Sequence, residues 1–274
     1  MSIQQLSTKD QYLRLLNLTY EVAQSLKGKI TTDFRWPDCQ QLAAKLFIHS
    51  ATVYWLGEEG TKAPVPYSTQ GTSFFDFPSV VVLTRAIFET YLTMFEVFFE
   101  PKTEDEFEFN HALWQLSGFV IRVDYAPSDP SLQGEVAKAR KEIQEIKSRI
   151  QKTTKYKLLK PGEQKNVLKG KGLRSWKSVA KAAGFGEKII QQMYAYYSGF
   201  VHADGLSASQ IMTAQNRQDQ FDHIEIHMRV IMLVLSKMII EYSRKFPEAK
   251  KVCDKDPEAY FSAEIWSGVA SRLP

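Results

Sequence analysis

Apolar residues recur along this chain at steps of three and four for most of its length, which is the spacing of one face of an α-helix. Leu13, Leu16, Tyr20 and Ala23 mark a first helix that Ser7 and Asp10 are placed to cap, and Gly28 ends it. Pro37 suits a first helical turn, and the run 39–56 follows it. Residues 57–71 are rich in Gly, Pro, Ser and Thr and read as an exposed loop. The most apolar helix runs over 78–100 and stops at Pro101. Thr103 and Glu106 then form a capping-box pattern for a helix to about Arg122. Asp129-Pro130 opens a more polar helix to Lys152 with a charged, peripheral surface. Residues 153–172 lack periodicity and read as a mobile connector.

A short helix over 175–183 ends at Gly184, and a longer one over 187–202 ends at Asp204-Gly205. The last long helix, over 218–246, stops at Pro247. Phe221, Ile224, Met228, Ile231, Leu235, Met238 and Tyr242 give it a seam suited to a bundle or to a dimer partner. Beyond it, Tyr260, Phe261, Ile265 and Trp266 carry enough apolar area to dock the tail onto the body. No stretch alternates with period two between turn signals, and no 20- to 50-residue repeat is present. The expectation is an all-α helical bundle, one domain over 1–274, with 129–174 as a peripheral basic helix and connector.

Charge sharpens this picture. The net charge is only +4, but residues 136–181 hold 15 Lys or Arg against 3 Glu, a local +12 that points to a polyanionic partner or to a solvated basic connector. The two cysteines, Cys39 and Cys253, form no C-x-x-C pair, and residues 1–5 carry no basic stretch leading into an apolar core; a reducing cytoplasm is expected. The 77–99 segment is long enough to cross a bilayer, but Arg85, Glu89 and Glu96 interrupt it, so a buried core helix is expected rather than a membrane span.

Candidate chemistry gathers in two strings. Arg85 and Glu89 lie four apart on one helix face, and Ser198 and His202 do the same on another. Brought together, Glu89 would orient the imidazole of His202, Arg85 would hold a phosphate, and His202 would move a proton near neutral pH. The competing reading is a local Arg85–Glu89 ion pair and a His202 that caps its own helix end. His223 and His227 share a helix face, but Glu225 sits between them, the H-E-x-x-H pattern fails and no third ligand is near, so neither a metal nor another cofactor is expected. The 178–185 segment and the helix after it are spaced like a helix-turn-helix, yet Ile189, Ile190, Met193, Tyr194 and Tyr197 make the second helix too apolar to read DNA. Phosphate-loop, dinucleotide and nucleophile-elbow motifs are absent from the sequence.

On Arg85-Ala-Ile-Phe-Glu89 and on Tyr194, Ser198 and His202, the chain resembles a bacterial all-helical family with R-x-x-x-E and Y-x-x-x-S-x-x-x-H helices. More distantly it resembles the HEPN superfamily of small helical bundles. The likeness spans about residues 75–245. It implies a metal-independent ribonuclease or RNA-binding protein of a toxin or phage-defence system, working as a homodimer. In that scheme His202 is the general acid or base, Arg85 stabilises phosphate charge, Glu89 orients His202, and Ser198 or Tyr194 contributes a hydrogen bond. Lys155, Lys157, Lys171 and Arg174 are the candidates for holding the substrate's phosphates. One departure stands out: active HEPN ribonucleases carry an Arg shortly before the His, and here that window holds Ala195, Tyr196 and Tyr197. Two alternatives remain beside the RNA reading. One is a non-catalytic interaction or dimerisation module; the other binds a small anionic ligand or nucleotide in the same cleft.

Overall fold

A computed structural model describes residues 6–28, 33–62, 73–124, 130–202 and 204–272. The fold is all-α. In chain order the helices are α1 (Thr8–Gln24), α2 (Trp36–Glu58), α3 (Phe77–Met94), α4 (Glu104–Asp124), α5 (Gln133–Lys152), α6 (Thr154–Lys157), α7 (Pro161–Val167), α8 (Trp176–Ala182), α9 (Glu187–Val201), α10 (Gly205–Thr213), α11 (Arg217–Lys245), α12 (Pro247–Lys255) and α13 (Pro257–Arg272). Among the described residues a single antiparallel pair interrupts them: β1 (Thr61–Lys62) lies against β2 (Ser73–Phe74), with Thr61 opposite Phe74. A π-helical turn, Phe95–Phe99, continues α3, and a 3₁₀ turn, Pro130–Leu132, precedes α5. No helix among the described residues is long and apolar enough to cross a membrane.

The chain divides into two compact units, one made of Met1–Leu92 with Ala180–Pro274, the other of Thr93–Val179. In the first unit, α11 is the central helix. Ile224, Met228, Ile231, Leu235, Met238 and Tyr242 are all wholly buried, and α11 packs on α1 and α13. The seam is therefore consumed inside the bundle, and those residues offer no surface to a partner. Tyr12 and Leu15 of α1 fill the same core, and the Tyr12 hydroxyl donates to the Ser50 carbonyl of α2 at 2.9 Å. The tail docks with only part of its large side chains: Tyr260 and Trp266 are half-buried, the Tyr260 hydroxyl 3.3 Å from Ser243 Oγ of α11 and Trp266 Nε1 donating to Gln11 Oε1 of α1 at 3.3 Å. Ala259, Ala263 and Ala270 are buried while Phe261 and Ile265 are exposed, because small side chains let α13 approach α11 closely.

The second unit has its own core, built from Phe109, Ala112 and Leu116 of α4, Ile143, Ile146 and Ile150 of α5, and Val167 of α7. The expected cap starts α4 with one change: Thr103 Oγ1 accepts from the Glu106 N–H at 3.2 Å, while the Glu106 carboxylate reaches back to the Lys102 N–H, at 2.8 Å, rather than to that of Thr103. The aperiodic stretch 153–172 folds into α6 and α7, tied down from outside their own sequence. Asp105 accepts the backbone N–H groups of Thr154 and Lys155, at 2.7 and 2.9 Å. Gly170, at φ +75°, lies against the backbone of Ser117.

Candidate functional site

The two motif helices belong to the first unit. On α3, Arg85 Nε donates to Glu89 Oε1 at 2.8 Å, an ion pair along one helix with both side chains partly exposed. Arg85 Nη1 is buried and has no hydrogen-bond partner among the described residues. On α9, Ile189, Ile190, Met193 and Tyr197 face the core, and Tyr194 and Ser198 lie toward its wetter side. His202 is the exposed C-cap of α9, and its backbone N–H donates to the Ser198 carbonyl at 3.0 Å. The spacing thus brings Arg85 to Glu89, and His202 to Ser198. Among the described residues no hydrogen bond or ion pair joins Arg85 or Glu89 to Ser198 or His202.

The string around His202 has structural duties that sequence reasoning missed. Asp204 starts a helix: its carboxylate accepts from the Ser207 N–H at 3.0 Å and caps α10. Gly199 makes room for that carboxylate, since a Cβ at this position would sit 2.2 Å from Asp204 Oδ2. The adjacent Tyr197 hydroxyl forms a 3.1 Å hydrogen bond with His227 Nδ1 inside the core. Burial pushes the His227 imidazole down to about 4, with the charge of His223 adding to the drop, so it is neutral at pH 7. Burial also raises the Tyr197 phenol, which stays protonated. His223 stacks on Phe77 with ring centres 4.7 Å apart. Both members of the His pair are therefore engaged in packing. No cluster of three or more potential metal ligands exists among the described residues.

In the second unit a pocket of about 280 Å³ opens among the π-turn, α4, α6 and the 170–174 segment. Phe109, Leu113, Trp114 and Val97 form its apolar wall, and Glu96, Asn110, Lys155 and Arg174 supply polar groups. The π-turn positions Glu96, whose backbone carbonyl accepts from Asn110 Nδ2 at 2.7 Å. Lys155 Nζ donates to Asn110 Oδ1 at 2.8 Å and lies 4.9 Å from the centre of the Phe109 ring. Arg174 is held by an ion pair to Glu100. Burial raises the Glu96 carboxyl above its usual value, helped by Glu100 and opposed by Arg174 and Lys155. Burial likewise lowers the Lys155 ammonium, against the pull of Glu106, Glu96 and Glu100. Of the four basic residues singled out by sequence, Lys155 and Arg174 meet in this pocket, and Lys157 and Lys171 are exposed at the surface. Comparison with known families, with curated proteins and with solved structures finds no match.

Proposed function

We propose that this chain is an RNA-binding protein, HEPN-like in type, that holds the phosphate backbone on the lysine-rich surface of its second unit. One observation carries the reading. Lys152, Lys157, Lys160, Lys165, Lys169 and Lys171 are all exposed within one short stretch. Phosphate binding needs such solvent-facing cations, whose condensed counterions are released on association. The resemblance of the two motif helices supports RNA as the polyanion. Binding is favoured over cleavage because the exposed His202 makes no hydrogen bond through its imidazole among the described residues. A general acid–base His is normally held by an orienting partner.

Binding of labelled single-stranded RNA is measured from about 50 to 300 mM salt, where each lysine–phosphate contact contributes about −0.7 to the slope of log K against log salt. The expected slope is about −3 to −5, and the double charge reversal Lys157→Glu with Lys171→Glu is expected to lower affinity at least tenfold. A chain that ignores RNA at the lowest salt, or a double variant that binds like the wild type, overturns the proposal. RNA cut by the wild type but not by His202→Ala would restore the catalytic reading.

A second reading, a module that pairs with another copy, draws on α10, where Leu206, Ile211 and Met212 are exposed at 52, 51 and 68%. Light scattering checks it: a dimer converted to a monomer by Met212→Glu supports it, and a monomeric wild type removes it.

A further inference from the structure

The pocket of the second unit has a feature that the RNA reading does not use. Glu96 and Lys155 line the same space, yet they form no ion pair with one another. Among the described residues nothing donates a hydrogen bond to the Glu96 carboxylate. The Lys155 ammonium has three donors and spends one on Asn110. Arg174 is already matched by Glu100. The space between α4 and the π-turn thus holds one uncommitted acid and one partly committed base, both half-buried, beside an apolar wall.

A ligand that fills the pocket removes the remaining water from both groups, a desolvation that is offset only if the ligand answers both charges. A simple anion would satisfy Lys155 and be repelled by Glu96; a simple cation would meet the opposite difficulty. A molecule with an ammonium and a carboxylate on neighbouring atoms answers both at once, with its apolar part against Phe109, Leu113 and Trp114. A volume of about 280 Å³ lies just under the range of about 300–1,000 Å³ for ordinary ligand pockets, so the guest is one small molecule. We infer that this pocket binds a free α-amino acid with a bulky apolar side chain, its ammonium on Glu96 and its carboxylate on Lys155. The inference is independent of RNA binding, which uses exposed lysines outside the pocket.

The test uses the full chain and calorimetric titration with L-leucine, L-methionine, L-phenylalanine and L-tryptophan. Each is compared with its decarboxylated amine and its deaminated acid, and the four ribonucleosides serve as a further arm. At least one amino acid is expected to bind ten or more times tighter than either of its one-charge analogues. Glu96→Gln should weaken the amino acid at least tenfold while the acid analogue binds no worse, whereas Lys155→Met should weaken the acid while the amine binds no worse. A merely structural role for either residue would not split the analogues in this way. The analogue series on the unaltered chain decides the matter even if a variant fails to fold. The inference is overturned if no amino acid binds at about 10 mM, where a site with a dissociation constant of about 1 mM would be mostly filled. It is equally overturned if the one-charge analogues bind as well as the amino acid, or if a nucleoside binds in its place.

Discussion

Replacing Gly199 by alanine should change sign with the residue at position 204. Alanine is the better helix former, by about 0.5–1 kcal/mol in a helix interior. Its Cβ, however, would stand 2.2 Å from Asp204 Oδ2. The backbone of α9 is packed, so the Asp204 side chain must move and release the Ser207 N–H that it caps at 3.0 Å. Loss of an N-cap costs about 1 kcal/mol, within a range of about 0.5–2. Gly199→Ala is therefore expected to be neutral to destabilising by about 1 kcal/mol in the wild type. In an Asp204→Ala background the obstacle and the cap are both gone, and the same change is expected to stabilise by about 0.5 kcal/mol. The coupling between the two positions should be about 1 kcal/mol, well above the few tenths that independent sites show. Urea denaturation of the four proteins of the cycle measures it, and amide exchange at Ser207 reports the cap directly. Equal effects of Gly199→Ala in both backgrounds would refute the reasoning.

Other expectations follow from the same physical terms. His227 carries a folded value of about 4 against about 6.5 in the unfolded chain. The unfolded state thus binds the extra proton first, and stability that is full above about pH 6.5 falls as the pH drops toward 4, by up to about 3 kcal/mol. The groups facing the ring are Tyr196, Tyr197 and His223. His227→Gln should flatten this slope when urea midpoints at pH 7 and pH 4.5 are compared; an unchanged slope would place the acid sensitivity elsewhere. Gly170→Ala forces a side chain into the left-handed region at φ +75°, with its Cβ 3.1 Å from Ser117 Cα. It should cost about 1–2 kcal/mol in a thermal melt, and a neutral result would mean that the 170–174 segment can relax.

Much of the helical order was legible because its signals are local. Ser7 and Thr103 cap the helices they precede, Pro101 and Pro247 fall where helices must break, and the α11 seam announces a buried stripe. The Arg85–Glu89 pairing likewise follows from spacing alone. Other features depend on what the chain meets in space. Asp204-Gly205 reads equally as the end of one helix or the start of the next, and α10 is hard to see because Ser207 is its one buried residue. Phe261 and Ile265 of α13 misdirect, since close packing selects its alanines. The π-turn leaves no periodic trace in five residues, and the pocket draws Glu96, Asn110, Lys155 and Arg174 from four separate places in the chain. No spacing rule gathers such residues.

The insertion of the second unit between the two halves of the first has a consequence for synthesis. Besides α2, the helices that pack on α1 come from much later in the chain, α11, α12 and α13. A ribosome adding about 5–20 residues per second leaves α1 with only α2 as a native neighbour, through contacts such as Tyr12 to Ser50, for at least about 10 seconds before α11 is complete. The inserted unit is contiguous and draws its core from α4, α5 and α7, so every residue it needs has been made long before then. The nascent chain passes through a stage in which the inserted unit is folded while α1, covered on one side by α2, waits for α11.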